Sequence, residues 1–170
     1  MWHFGQLGQS RRAVAILAWA CDHSRSEKGV HMPTVAHTAH DMISKMTPEV
    51  QPGEFVFVST RDPAVIAALS PAAIGTFQEP EGLSMLVPLG VAAIAGENAD
   101  MPMRYITLSV YSSLEGVGLT AAVATALGHH NIPCNMVAAY HHDHVFVPSD
   151  MCDLALDVLT SLQDRALADH

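Results

Sequence analysis

The pattern of apolar and polar residues changes rhythm several times in the second half of the chain. Apolar and polar residues alternate over 105–111, the period of two that is typical of a strand with one buried face. From Leu119 onward the apolar residues recur at i, i+3, i+4, i+7 and i+8, which places them on one stripe of a helix. Alternation returns in 131–140, and 144–147 forms another short run. The second half therefore predicts the order strand, helix, strand, tight turn, strand.

The first half shows a similar order of predicted elements, with a weaker hydrophobic pattern. Asp62 and Pro63 indicate a helix start, as N-cap and first helical residue respectively. Gly96 is suited to closing a helix. The predicted elements are a helix over 35–46, strand 54–59, helix 62–69, strands 74–78 and 83–87 joined by a turn at 80–82, and a short helix over 89–95.

Each half ends its last strand with Val-Pro and continues into a helix, the second of which is predicted over 149–162. The repeated β-α-β-β-α order predicts an α+β fold: two ferredoxin-like units side by side, with antiparallel sheets and helices on one face. The polar loop 97–102 is the predicted boundary. The units are expected at 32–100 and 101–165, followed by a tail, 166–170.

No closing strand is predicted after Leu162, so one sheet edge needs a cover. We expect this cover from the 54–59 strand, from the other half, or from a second chain, and a homodimer would satisfy the last case.

The first 31 residues differ from the rest in charge, at +2 against −11 for residues 32–170. Arg11-Arg12 precedes an apolar run ending in Ala-Trp-Ala-Cys, a pattern shared with secretion signals. The run is short, and Trp19 is bulky where signals carry small residues. We therefore favour one of two interpretations. The first 31 residues are an unstructured leader, or they are translated from a start codon upstream of the natural one, which would be at Met32.

Composition narrows the classes of function. Hydrophobic residues make up 49% and charged residues 15%, so a real core is expected. The net charge of −9 argues against nucleic acid or an anionic membrane surface as partner. No apolar run reaches the roughly 18 residues of a membrane span. The three cysteines lack a C-x-x-C pair, which favours a reducing compartment, and we expect the cytoplasm.

Gly116 and Gly118 lie between the first strand and the helix of the second half. Glycines there allow close approach of a ligand to the backbone, and the helix start offers N–H donors and a positive dipole end. These features suit an anion such as a carboxylate. Tight packing of strand against helix would explain the same glycines, and the sequence leaves both interpretations open.

Three segments, 112–127, 132–135 and 142–148, together resemble an ACT domain. They are more narrowly similar to small bacterial proteins of unassigned role that carry two such units. This resemblance implies a regulatory module that binds an amino acid or similar small carboxylate through the loop after the first strand and the start of the next strand. The implied ligand-binding residues are Ser112, Ser113, Leu114, Glu115, Gly118, Leu119, Asn135 and Met136. The glycine loop itself adds the backbone N–H groups of Gly116 and Val117 as candidate donors. Glu115 or Asp143 would form an ion pair with a cationic group on the ligand. In the first unit Arg61 stands where the glycine loop would be, and it is a candidate cation.

Two other functions remain open. The histidines around Asp143 suggest a small metal- or His-dependent enzyme, but a third metal ligand is not evident and a hydrogen-bonded turn explains the pattern. Cys134 lies on the apolar side of a predicted strand, so we predict an unreactive thiol in the core. We therefore predict no catalytic residue, no metal and no cofactor. The remaining alternative is an interaction protein whose pocket is vestigial.

Overall fold

The computed structural model describes residues 35–36, 38–97, 100–110 and 116–169, which belong to one compact unit, Pro33–His170. The predictions for the leader fall outside these residues. The elements are α1 (Ala39–Lys45), β1 (Pro48–Val50), β2 (Phe55–Thr60), α2 (Pro63–Leu69), β3 (Gly75–Glu79), β4 (Gly82–Pro88), α3 (Leu89–Ile94), β5 (Met103–Leu108), α4 (Leu119–His129), β6 (Asn135–Ala138), β7 (Asp143–Pro148) and α5 (Cys152–Ala168). Short 3-10 turns, Ser70–Ala72 and Ser149–Met151, follow α2 and β7.

The strands of the described residues form one antiparallel sheet, in the order β3-β4-β2-β5-β7-β6, with β1 also paired to β5. The first unit runs from β2 to α3 and the second from β5 to α5, so each follows the β-α-β-β-α order. The predicted α+β fold of two ferredoxin-like units is confirmed.

The two units end in the same way. After Val-Pro, the amide of Leu89 donates a hydrogen bond to the carbonyl of Glu54, at 2.9 Å. At the corresponding place in the second unit, the amide of Ser149 donates to the carbonyl of Pro102, at 3.0 Å. In both cases the acceptor immediately precedes the unit's first strand. The repeat therefore extends to individual backbone hydrogen bonds.

One edge of β5 is shared by two different strands. Residues 48–50 of β1 pair with 106–108, whereas β2 reaches β5 only where Phe55 lies opposite Met103. Between them the amide of Gln51 donates to the carbonyl of Tyr105, at 2.9 Å. The expected cover by the 54–59 strand is thus confirmed at a single position. Strand β1, which the hydrophobic pattern does not predict, covers the rest of this edge.

The helices pack on one face of the sheet, over two separate clusters of buried side chains. The smaller cluster belongs to the first unit and includes Val56, Leu69 and Met85. The larger belongs to the second unit, where Met42 and Met46 join side chains of β5, β7, α4 and α5. Helix α1 therefore lies in the helical layer of the second unit, although it precedes the first unit in the chain.

The opposite face of the sheet carries an aromatic cluster at the junction of the units. The ring of Tyr105 lies 5.5 Å from Phe55, edge-on, and 5.1 Å from Phe146, stacked. Leu86 and Met103 are buried in the same cluster. Because these side chains come from both units, the cluster ties them together on the face without helices.

Two helices differ in length from their predictions. Helix α1 begins after Thr38 and not near Val35, because the Thr38 hydroxyl caps it by accepting from the amide of Asp41, at 3.1 Å. Helix α5 continues beyond Leu162 to Ala168, and Ala166 is buried. The polar residues after Leu162 therefore extend the helix.

The position of α1 predicts that a core substitution there destabilises the fold. Met42→Ala should lower the free energy of unfolding by about 2–5 kcal/mol, because Met42 is 1% exposed and truncation leaves a cavity. Ile94→Ala is the control, since Ile94 is 91% exposed, and its effect should stay within about 0.5 kcal/mol. Urea denaturation measures both, and equal losses would contradict this placement of α1.

Candidate functional site

Helix α4 begins at a glycine, which has no side chain of its own to cap the helix. Its N-cap is Gly118, in the left-handed region (φ 111°, ψ −21°), and its first turn contains no acidic residue. By contrast, Thr38 caps α1, and Asp62 caps α2 by accepting from the amide of Ala64, at 2.8 Å. Among the described residues, no side chain caps the first N–H groups of α4, which also carry the positive end of the helix dipole.

Gly118 is also a packing position. A Cβ at this residue would lie 2.6 Å from the Cβ of Ala39, the first residue of α1. Its positive φ further disfavours any residue with a side chain. Tight packing, the alternative explanation for this glycine, is therefore supported by a specific contact between α1 and α4. The two explanations are compatible, because packing uses the Cα of Gly118 whereas an anion would use amides further along the turn.

The structure does not describe 111–115, so the roles predicted for Ser112, Ser113, Leu114 and Glu115 stay predictions. Gly116 lies in the loop before α4, and Val117 is 80% exposed. Leu119 is 3% exposed and packs into the core of the second unit. Only the main chain of Leu119 is therefore left to contact a ligand.

Asn135 and Met136 begin β6, some distance from the glycine loop. Ala138 is level with Leu108, where β5 ends, and Asn135 lies three residues earlier, about 10 Å along the strand. Its side-chain amide donates to the Sδ of Met103, on the face without helices. Met136 packs against the helical core. Their assignment to the ligand site stays a prediction that this geometry does not support.

Asp143 lies at the same end of the second unit as the start of α4. It is opposite Leu108, from which the chain leads into the glycine loop, and it is 7% exposed. Burial raises the pKa of its carboxyl, an effect partly offset by His144 and His142. Within the described residues the carboxylate forms no ion pair with Lys or Arg. A buried carboxyl of this kind would gain from a cationic partner.

The histidines beside Asp143 have structural partners. His142 Nδ1 donates to the carbonyl of Val110, at 3.2 Å, which ties the start of β7 to the chain leaving β5. His144 Nδ1 and Thr107 Oγ1 share a hydrogen bond of 3.1 Å. Burial lowers the pKa of His144, with a further lowering by His142 and an opposing effect of Asp143. The hydrogen bonds of these two histidines therefore connect β7 and the residue before it to β5 and the chain that leaves it.

Other candidate chemistry finds little geometric support. Among the described residues, no three His, Cys, Asp or Glu side chains are grouped so that they could hold a metal ion. Burial raises the pKa of the Cys134 thiol, which disfavours the reactive thiolate. Arg61 donates to the carbonyls of Pro80 and Glu81, so its guanidinium holds the β3–β4 turn. Its suggested role as a cation for a ligand of the first unit loses support.

Comparison with protein-family models identifies both units. One ACT-domain model matches residues 101–161, and a second matches 38–104. The chain belongs to the ACT-domain family. The match over 38–104 begins at Thr38, so it includes the α1–β1 segment that packs with the second unit. ACT domains are regulatory modules, and this chain consists of two of them across most of its described length.

Solved structures agree with this assignment. A Vibrio cholerae protein of unknown function, described as a possible transport protein, is 37% identical with a TM-score of 0.63, over 72% of this chain and 93% of that one. The ligand-free regulatory subunit of aspartate kinase from Thermus thermophilus is 10% identical with a TM-score of 0.51, over 69% and 96%. At that identity the likeness concerns the fold alone. Among curated proteins, none matches the sequence.

A search of the described residues for membrane spans finds no helix with the length and hydrophobicity to cross a bilayer.

The contact between Gly118 and Ala39 predicts a large difference between two glycine substitutions bounding α4. Gly118→Ala should lower the free energy of unfolding by more than about 1 kcal/mol, through the positive φ and the overlap with Ala39. Gly128→Ala should be neutral or stabilise by up to about 1 kcal/mol, because its Cβ would meet nothing within 4 Å.

Adding Ala39→Gly to Gly118→Ala should recover part of the loss, since it removes the overlapping Cβ but not the backbone strain. Equilibrium denaturation of Gly118→Ala, Gly128→Ala, Ala39→Gly and the double variant measures these differences. An additive double variant would show that the two residues do not meet.

Proposed function

We propose that this ACT protein is a regulatory module that binds a free amino acid at the start of α4, with the α-carboxylate on main-chain amides and the ammonium group near Asp143. The observation that supports the proposal is the start of α4, where the described residues provide no capping side chain and the first turn contains no acidic residue. A carboxylate would supply hydrogen-bond acceptors and negative charge at this helix end.

Asp143 supports an amino acid over a simple carboxylate. Its carboxyl is buried at the same end of the unit, and its raised pKa reflects the unfavourable desolvation of its charge. An ammonium group close by would offset that desolvation through direct ion pairing. The ligand class therefore combines an anionic and a cationic group, as every α-amino acid does.

Ala39 gives the proposed site a route to regulation. It lies against Gly118, and α1 leads through β1 to the first unit. A ligand at the start of α4 that prefers one position of α1 would shift the packing between units, or contacts in a homodimer, toward that position. The free thiols of Cys134 and Cys152 fit a reducing compartment, so we propose a cytoplasmic setting.

A carboxylate built into the first turn of α4 should compete with the ligand. Thr120→Asp should raise the stability of the free protein by about 0.3–1 kcal/mol through the helix dipole, and it should abolish stabilisation by the bound amino acid. Thermal unfolding in the presence of each of the twenty amino acids tests this. A ligand at 100 times its Kd raises the apparent free energy of unfolding by about 2.7 kcal/mol.

Thr120→Asn is the matched control, since it has nearly the same shape without the charge, and it should keep the ligand response. A response unchanged by Thr120→Asp would place the ligand elsewhere. If no amino acid stabilises the unsubstituted chain, the proposal is wrong.

Asp143→Asn tests whether the ammonium group of the ligand is recognised separately from its carboxylate. It should weaken amino-acid binding about tenfold while leaving a simple carboxylate such as acetate unaffected. The free protein should be as stable or more stable at pH 7. A carboxyl whose pKa is raised by folding contributes stability that is present at low pH and lost as the pH rises through the folded pKa. Calorimetric titration with both ligand types measures the effect, and equal losses would argue against an ammonium site.

A further inference from the structure

A groove on the outer side of the helical layer lies between α4 and α5, away from the glycine loop. Its volume is about 480 Å³, and a neighbouring depression of about 400 Å³ shares Ala126, His129 and Arg165 with it. It borders the C-terminal half of α4, whereas the proposed amino-acid site is at the other end. At 1.5 Å per residue, His129 is about 15 Å along the helix from Leu119.

The groove combines an apolar floor with polar walls. Ala126 and Val158 contribute the apolar part, and Val158 is buried. Arg165, His129 and Ser161, each of which carries a polar group, are among the other lining residues. Residues 158, 161 and 165 are three or four apart, so they occupy one face of α5. This arrangement fits a small organic molecule with an apolar body and a polar end.

The charges of the described residues single out Arg165. Lys45 lies 3.6 Å from the carboxylate of Asp41, Arg61 donates to the carbonyls of the β3–β4 turn, and Arg104 donates to the carbonyl of Gln51. These are the other Lys and Arg residues after Met32. The guanidinium of Arg165 has no hydrogen-bond or ion-pair partner in this part of the chain.

Neither the helix dipole nor Asp157 supplies a hydrogen-bond partner for the guanidinium of Arg165. Arg165 lies in the last turn of α5, where a positive charge favours the helix dipole, but that effect needs no hydrogen-bond partner. Asp157 also lines the groove, yet it is eight residues away on the same helix, about 12 Å along the axis, and forms no ion pair with Arg165. The five guanidinium donors remain directed to whatever occupies the groove or to solvent.

We propose that the α4–α5 groove is a second small-molecule site, selective for organic carboxylates with an apolar body. Arg165 and His129 bind the carboxylate, and Ala126 and Val158 contact the apolar part. Asp157 disfavours ligands with a second negative charge, so monocarboxylates bind better than dicarboxylates. The site does not depend on the proposed amino-acid site, because the two share no residue.

Titration of the full chain with benzoate, monitored by amide chemical shifts, tests the assignment. Benzoate is expected to cause saturable shifts concentrated in 126–130 and 154–165. Benzamide, which has the same ring without charge, and succinate, which has two charges, are expected to bind at least tenfold more weakly. Comparable binding of benzamide would contradict recognition of the carboxylate.

The matched variants remove one positive charge each. Arg165→Gln is expected to weaken benzoate at least tenfold, whereas Lys45→Gln, an equal change of net charge on α1, leaves it unchanged. Thr120→Asp leaves benzoate binding in the groove intact, which separates this site from the start of α4. Equal weakening of benzoate binding by Arg165→Gln and Lys45→Gln would show non-specific electrostatic attraction and would contradict the proposal. Chemical-shift changes confined to 116–122, or no saturable changes at all, would also overturn it.

Discussion

The edge of β5 shared by β1 and β2 is the constraint on which the rest of the structure depends. A strand edge in mid-sheet exposes unpaired amides and carbonyls unless another strand supplies partners. Here β1 supplies them for 106–108, and Phe55 of β2 continues the pairing at Met103. Because both strands lie in one continuous segment, closing this edge also joins the two units into one sheet.

The same segment decides which helices belong together. Once β1 is paired beside β5, the preceding α1 lies over the second unit, where Met42 and Met46 enter its core. Its first residue then meets Gly118. The second unit is thus built from both ends of the described chain, although α1 and β1 fall within the range predicted for the first unit. The predicted domain limits themselves stay a prediction, since the units share a sheet.

Local patterns were sufficient for most of the fold. The alternating and helical periodicities predicted β2 to α3 and β5 to α5, and the cap at Asp62 with Pro63 after it is confirmed. Strand β1 was missed because three residues beginning with proline carry no periodic signal, and it forms only through pairing with β5. The Thr38-x-x-Asp41 pattern could have located the start of α1.

The candidate site was less accessible to sequence reasoning. Glycine spacing identified Gly118 as special, but sequence does not bring Ala39 beside it, because that contact depends on long-range packing. The side-chain direction of Asn135 likewise follows from the register of β6 against β7, which determines the face it occupies. Leu119 illustrates a third limit, since the first residue of the helix at the proposed site is also a core position.

The distribution of positive charge explains why recognition of an anion near the glycine loop should rely on the backbone. With a net charge of −9, a soluble anion is repelled at long range, and three of the four Lys and Arg residues after Met32 contact groups of the protein. Arg165 lies on the outer surface of the helices. Near the glycine loop, the first main-chain amides of α4 carry the partial positive charge of the helix start. Their field falls off within about one turn, so an anion there has to lie close to the helix start, where the side chain of Ala39 already packs.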